Sequence, residues 1–300
     1  MVRSEAFTGW LGLLGVLGLS IAQAATAAPR TEMIQVGPGI QLHMVEDGKA
    51  STRPTVVLIP GWRLTASIWA NQIRLFAADG RVLAVDPRSQ GDSTKTDEGD
   101  TPEQRARDYR ALFTAVHATP LVLVGWSQGV QDVAAYVDQF GTDGIKAIVL
   151  VDSTISKGAA NIPANLPRVV QQLRLLSILN DSPRDYTVGM MHAIISTPLS
   201  EDALNGLVAE ALKTPTATGA AMLVADLFGK DRSSAIGKFT VPTLVIASGH
   251  SGELAEQRQL AASLPDGRFE VLDQAAHAVF IDQPERFHEL VKNFMERPGV

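Results

Sequence analysis

Short apolar runs alternate along this chain with longer segments whose apolar residues recur at helical spacing. Runs without polar positions predict strands buried on both faces, as in a parallel sheet. Two further strands flank Gly37-Pro38-Gly39, a sequence that indicates a hairpin. The predicted strands are 33–36, 40–45, 55–59, 81–85, 121–124, 145–151, 243–247 and 268–272.

Helical spacing follows most of the buried strands. Thr101 and Pro102 supply a capping hydroxyl and a first-turn proline for one of these helices. Strands that alternate with helices predict a mostly parallel, eight-stranded α/β sheet covered by helices on both faces. The predicted helices are 67–78, 101–117, 130–140, 254–263 and 284–295.

One segment interrupts this alternation. Residues 153–240 lack strand signals and contain helical stretches separated by prolines and glycines, at 166–179, 186–195, 201–212 and 216–228. We interpret this segment as a helical lid inserted after the sixth strand. The α/β core then comprises residues 31–152 and 241–297.

The first residues have the pattern of a secretory signal peptide. Arg3 precedes an uncharged apolar run at 10–19, and Ala22-Gln23-Ala24 offers small residues at cleavage-site spacing. The run is short and glycine-rich for a membrane span, although an uncleaved anchor is the alternative. We therefore predict a signal peptide at 1–24, no stable membrane anchor, and export to the periplasm or the cell exterior.

Composition excludes several functional classes. The chain has 300 residues, 45% of them hydrophobic, which suffices for one large core. The net charge is −6 with scattered basic residues, so no nucleic-acid partner is expected. Cysteine is absent, and histidine–carboxylate clusters at ligand spacing and glycine-rich phosphate loops are not found. We predict no metal and no cofactor, and the oligomeric state stays open.

The most informative stretch lies between the strand 121–124 and the helix after it. A serine at a sharp strand-to-helix turn is held in a strained conformation with its hydroxyl exposed, and its flanking positions require glycine. This context predicts Ser127 as a nucleophile, and the alternative is a glycine-rich turn with an incidental serine. The stretch is Gly125-Trp126-Ser127-Gln128-Gly129.

Together with Pro60-Gly61-Trp62, the stretch 86–93 and His277, this turn resembles the α/β-hydrolase fold family over residues 31–297. The resemblance is nearest to its lidded esterase and non-haem haloperoxidase-like branch. Pro60 stands where the family often has histidine, and Val130 replaces a common third glycine. The resemblance implies a serine hydrolase in which His277 is the general base of Ser127, with His250 as a weaker rival.

The resemblance also implies an oxyanion hole and a substrate pocket. The main-chain N–H groups of Gln128 and Trp62 are expected to stabilise the oxyanion. Apolar side chains are expected to line the pocket or, alternatively, to pack the core: Trp62, Trp126, Leu176, Met190, Met191, Met222 and Phe228. Asp86, Arg88 and Asp92 are expected to tie down a turn and are assigned no chemistry.

The acid that orients His277 is the least orthodox part of the pattern. In this family it most often follows the seventh strand, where the sequence has Ser251, which cannot carry the charge. Asp152, at the end of the sixth strand, is the preferred candidate. Glu253 is the alternative acid, although Ser251 and Glu253 also fit the start of a helix. A dyad without an acid is a third option.

These observations predict a secreted serine hydrolase that cleaves small-molecule carboxylic esters through a Ser-His-acid triad and an acyl-enzyme. Lactonase, amidase, carbon–carbon hydrolase and perhydrolase activities on the same triad are alternatives. A catalytically silent α/β-hydrolase homologue that binds a small ligand is the alternative from another class. Nucleophile, base and oxyanion turn together favour the enzyme.

Overall fold

The computed structural model describes residues 28–163 and 166–300, so the predicted signal peptide at 1–24 lies outside the described residues. Within this part of the chain, eight strands form one sheet in the order β1-β2-β4-β3-β5-β6-β7-β8. The strands are β1 (Arg30–Gly37), β2 (Ile40–Asp47), β3 (Thr55–Ile59), β4 (Val82–Val85), β5 (Leu121–Trp126), β6 (Ile145–Val151), β7 (Thr243–Ser248) and β8 (Gly267–Leu272).

The sheet is mostly parallel, as predicted. Only β2 pairs antiparallel, with β1 on one side and β4 on the other. The remaining strands pair parallel from β4 through β8. All residues of β3, β4, β5 and β7 are buried, because helices cover both faces and leave no face for polar side chains.

Ten α-helices lie in the described residues. Their apolar faces form two core clusters, with alternate strand residues such as Val56 and Val57 divided between them. The helices are α1 (Ala70–Ala77), α2 (Pro102–Ala115), α3 (Gln128–Phe140), α4 (Leu166–Asp181), α5 (Pro183–Ile194), α6 (Glu201–Leu212), α7 (Thr216–Phe228), α8 (Leu254–Ser263), α9 (Val279–Asp282) and α10 (Pro284–Met295).

Parallel pairing brings the carboxyl ends of the central strands to one edge. Ile59 of β3 pairs with Gly125 of β5, which pairs with Leu150 of β6. The loops after β3, β5 and β6 therefore start side by side, which is where open α/β sheets place their ligands.

Four helices, α4 to α7, connect β6 to β7; we call residues 153–240 the helical insertion. Two contacts attach it near the carboxyl edge. The Trp62 indole donates to the Gly219 carbonyl over 2.7 Å, and the Ala278 N–H donates to the Ile194 carbonyl over 2.7 Å. Whether the insertion opens and closes as a lid stays a prediction. Among the described residues, no helix combines the length and apolarity needed to cross a membrane.

The local differences from expectation include the start of α1 and the short helix α9. The helix predicted at 67–78 begins instead with a 3-10 helix, Ala66–Trp69, before α1. Thr65 causes this start, because its hydroxyl accepts the Ser67 N–H over 3.3 Å. The single turn α9 was not predicted, since four residues are too few to show helical periodicity.

Candidate active site

Ser127 occupies a strained turn between β5 and α3. Its φ of 56° and ψ of −116° lie outside the regions that L-residues usually adopt. A Cβ on Gly125 would lie 2.5 Å from the Gly129 carbonyl oxygen, and one on Gly129 would lie 2.7 Å from the Ile59 oxygen. Both glycines are therefore required for this turn, and α3 starts directly behind the serine, where its N–H groups favour negative charge.

The structure pairs His277 with Asp152. His277 Nδ1 lies 2.7 Å from Asp152 Oδ2, and only 4% of Asp152 is exposed. The other carboxylate oxygen accepts the Ser248 N–H over 2.9 Å and the Gln257 amide over 3.1 Å. Asp152 is thus the carboxylate on the ring nitrogen, held there from β7 and α8.

These contacts determine the charge state of Asp152. Burial raises the pKa of the Asp152 carboxyl, but hydrogen bonds from His277, Ser248 and Gln257 outweigh it and leave the pKa below its usual range. The carboxylate is therefore ionised at neutral pH and accepts a hydrogen bond from the Nδ1–H of His277. That tautomer leaves His277 Nε2 as an acceptor, which is the state a general base requires.

The loop that carries His277 is fixed on both sides. The Trp126 indole donates to the His277 carbonyl over 2.9 Å, and the two rings lie 5.2 Å apart. The Ala276 N–H donates to Asp282 of α9 over 2.7 Å. Asp282 also accepts the Thr197 N–H over 2.7 Å, so one carboxylate ties the histidine loop to the helical insertion.

The expected oxyanion donors flank Ser127. A Cβ on Gly61 would lie 3.1 Å from Ser127 Cβ, so the turn before Trp62 lies directly against the serine. Among the described residues, the N–H groups of Trp62 and Gln128 have no hydrogen-bond partner within the protein. Two unpaired main-chain donors beside the serine can stabilise a developing oxyanion.

Two cavities meet at Ser127 and His277. The first, of about 460 Å³, is lined mainly from the β6 and α7 side, and we call it the polar cavity. The second, of about 610 Å³, is the apolar cavity. Ser127, His277, Trp62 and Leu223 line both. Among the described residues the Ser127 hydroxyl has no hydrogen-bond partner, and such contacts often form only once a substrate is bound.

Polar residues from four regions line the polar cavity: Gln128, Gln131, Ser153, Thr154, Asp226 and Glu253. Apolar and aromatic side chains line the apolar cavity: Leu64, Trp126, Leu175, Ile178, Tyr186 and Met190. Phe228 lines the polar cavity, whereas Leu176 lines neither.

The prediction that apolar side chains line the pocket is wrong for Met191 and Met222. Trp126 and Met190 line the apolar cavity as expected. Met191 is 1% exposed and belongs to the core cluster, and Met222 is fully buried outside both cavity linings. Adjacent helical residues point about 100° apart, so when Met190 faces the cavity Met191 faces the core, and Leu223 takes the place expected of Met222.

Sequence reasoning missed the residues that support this site. Tyr186 lines the apolar cavity and meets the Trp62 ring edge-on at 6.1 Å. Gln257 and Ser248 hold Asp152. Helical spacing from Met190 would have identified Tyr186, four residues earlier on the same face. The partners of Asp152 come from distant chain segments and carry no local signal.

The alternative acid and base also lie near the site. Glu253 and His250 line the polar cavity. The Glu253 N–H donates to the Ser251 hydroxyl over 3.3 Å just before α8, which agrees with the helix-start interpretation. The ring nitrogen of His277 nevertheless faces Asp152.

Within the part of the chain that the structure describes, one group of side chains outside the cavities has metal-ligand geometry. Ligand atoms of His43, Asp86 and Asp92 lie within 4.8 Å of one another. The Asp86 carboxylate is hydrogen-bonded to His43 Nδ1 at 2.9 Å and accepts the Ala66 N–H over 2.7 Å. Asp92 forms a salt bridge with Lys213 at 2.8 Å. A cation would compete with the lysine, so we assign this group the turn-stabilising role expected from the sequence.

The fold and site define a class that independent comparisons also identify. Residues 56–290 match the family model described as the alpha/beta hydrolase family. The chain therefore belongs to the alpha/beta hydrolase family.

The relatives with known names include non-heme haloperoxidases and esterases. A non-heme chloroperoxidase of Kitasatospora aureofaciens is 25% identical over 276 residues, covering 86% of this chain and 97% of the relative. A pimeloyl-[acyl-carrier protein] methyl ester esterase of Neisseria meningitidis is 25% identical over 249 residues, covering 80% of this chain and 93% of the relative. The bromoperoxidase structure from Bacillus anthracis superimposes with a TM-score of 0.76 at 20% identity, covering 89% of this chain and all of that one. Membership and relatives together support hydrolase activity.

Proposed function

We propose that the protein is an exported serine hydrolase that cleaves small-molecule carboxylic esters through an acyl-enzyme. One observation carries the proposal. The ionised carboxylate of Asp152 lies 2.7 Å from Nδ1 of His277, and both residues line the cavity that contains Ser127. This is the arrangement in which a histidine can activate a serine.

In the proposed mechanism, His277 Nε2 takes the Ser127 proton as the serine oxygen attacks the ester carbonyl. The N–H groups of Trp62 and Gln128 stabilise the tetrahedral oxyanion. When the intermediate collapses, the C–O bond breaks and the imidazolium gives its proton to the leaving alcohol. Water, deprotonated by His277, then hydrolyses the acyl-serine, and Asp152 stabilises the imidazolium in both halves of the reaction.

The cavities support a substrate with two unlike parts. The apolar cavity suits an uncharged alkyl or aryl group, because its lining is aromatic and aliphatic. The esterase among the relatives supports an ester over an amide. Ester cleavage is also less demanding than amide cleavage for this triad, since an alcohol is a better leaving group than an amine.

A panel of p-nitrophenyl esters of graded chain length, compared with matched amides and lactones, tests the proposal. We expect ester turnover to exceed amide turnover, and Ser127→Ala to lose at least about 10³-fold in kcat on the preferred ester. The wild-type circular dichroism spectrum of Ser127→Ala serves as the folding control. Wild-type protein without turnover on any member of the panel would favour the ligand-binding homologue.

A further inference from the structure

The Gln128 side chain takes part in a buried network beside the nucleophile. Its amide nitrogen donates to Oδ2 of Asp226 on α7, and the two residues are 6% and 4% exposed. The other Asp226 oxygen accepts from Arg105 Nη2 over 3.1 Å. A side chain of the nucleophile turn is therefore held by an acid of the helical insertion.

Asp226 fixes the orientation of this amide. An ionised carboxylate only accepts hydrogen bonds, so the amide nitrogen must face Asp226 and the amide oxygen, Oε1, must face away. Burial raises the pKa of the Asp226 carboxyl to about 6, although Arg105 opposes the shift. At neutral pH the carboxylate is therefore mostly ionised and keeps the amide in this orientation.

The amide oxygen that remains is an unsatisfied acceptor. Gln128 lines the polar cavity, and its Oε1 is buried without a hydrogen-bond partner among the described residues. Gln131 lines the same cavity but is fully paired: its nitrogen donates to the Thr154 carbonyl over 2.6 Å, and its oxygen accepts the Ser156 N–H over 2.9 Å. Buried acceptors without partners are rare in folded proteins, and each calls for a partner or an explanation.

We propose that the polar cavity binds the part of the substrate that carries a hydrogen-bond donor, a hydroxyl or an amide N–H, and that Gln128 Oε1 accepts this donor. Asp226 is the positioning residue that orients the amide. The apolar part of the ester then occupies the other cavity. This inference rests on the proposed function and specifies its substrate class as esters that join an apolar group to a donor-bearing group.

Pairs of esters that differ only in the donor test this inference. The 3-hydroxypropyl and butyl esters of phenylacetic acid place a hydroxyl or a methyl group in the alcohol part. Butyl 6-hydroxyhexanoate and butyl heptanoate place the same exchange in the acyl part. The 2-acetamidoethyl and 4-oxopentyl phenylacetates exchange an N–H for a methylene and so distinguish amide donors from hydroxyl donors. The readout is the kcat/KM ratio within each pair.

For the wild-type protein we expect at least one pair to favour the donor-bearing ester by about 5-fold or more. Gln128→Met, which keeps the side-chain length and the main-chain N–H, should bring that ratio close to 1. Asp226→Asn should reduce it as well, because an amide at 226 can hold Gln128 in either orientation. Gln259→Met makes the same substitution at an exposed position of α8 that lines neither cavity, and it should leave the ratio unchanged.

The outcomes separate the two proposals. Turnover without a donor preference in any pair, or a preference that persists in Gln128→Met, would overturn the subsite and leave the hydrolase intact. If Gln128→Met fails to fold, an unchanged ratio in Asp226→Asn would overturn it equally. Absence of turnover on every ester would contradict the proposed function first and the subsite with it.

Discussion

At the scale of single residues, the site depends on a few side chains whose orientation is fixed by hydrogen bonds to their neighbours. Asp152 is buried, ionised and bonded on both oxygens, so its geometry relative to His277 is fixed before a substrate arrives. A base that is already oriented avoids the cost of being ordered during the reaction.

The assignment of the acid leads to a prediction. Asp152→Asn should lower kcat by about 10³–10⁴-fold with the fold intact, because an amide favours the wrong histidine tautomer. Glu253→Gln should change kcat by less than about tenfold, the effect of a charge near a helix start. Both variants are measured on one ester at saturating substrate. The reverse ranking would transfer the role of the acid to Glu253.

At the scale of elements, the closing helix is attached to the core by a charged contact. Asp79, just after α1, accepts from Lys292 over 2.6 Å and bonds to His288 over 2.8 Å, both on α10. Burial raises the pKa of Asp79, but the hydrogen bonds from Lys292 and His288 outweigh it and lower the pKa. The ionised carboxylate therefore stabilises the contact between α1 and α10.

This contact predicts a pH-dependent stability. At pH 7, Asp79→Asn should lower the free energy of unfolding by about 1–2 kcal/mol. A lowered folded-state pKa gives stability that is present above the unfolded value of about 3.9 and is lost as pH falls through the folded value. Urea unfolding should therefore show the difference between Asp79→Asn and wild type shrinking below about pH 4. The exposed Asp97→Asn is the control, and an effect of equal size at pH 3 would refute the electrostatic origin.

The elements also show what sequence alone can predict. The strand Ile145–Val151 was predicted to the residue, since its apolar run, interrupted only by the exposed Lys146, lies between Gly144 and Asp152. The turn at Ser127 was predicted because its glycines are a steric requirement. The choice of Asp152 over Glu253 rests on Gln257 and Ser248, which only the tertiary structure brings together.

Pocket composition was less predictable for a related reason. Met190 and Met191 are equally apolar, and sequence alone does not indicate which side of α5 faces a cavity and which faces the core. Asp226 has no signal in the sequence, because its partners Gln128 and Arg105 lie about a hundred residues earlier in the chain.

At the scale of the whole molecule, the parallel sheet brings Ser127, His277 and Asp152 to one edge, and the helical insertion encloses the space above them. Trp62 bonds to α7, and Asp282 bonds to the segment after α5, so contacts from the core hold the insertion at two places. The two cavities that result meet at Ser127.

The predicted export also concerns the whole molecule. The order of Arg3, the apolar run 10–19 and Ala22-Gln23-Ala24 leads us to predict that the mature protein begins near Ala25. N-terminal sequencing of protein recovered from the native host measures this directly. A chain that still starts at Met1 and is found in the cytoplasm would contradict the prediction.

The central claim is that Ser127 is an activated nucleophile, and labelling with a fluorophosphonate measures this most directly. The account predicts one covalent adduct per wild-type chain, mapped by peptide mass spectrometry to Ser127. The adduct should be absent from Ser127→Ala and form far more slowly in His277→Ala, because the serine then lacks its base. Wild-type protein that stays unlabelled, or an adduct on another residue, would contradict the account.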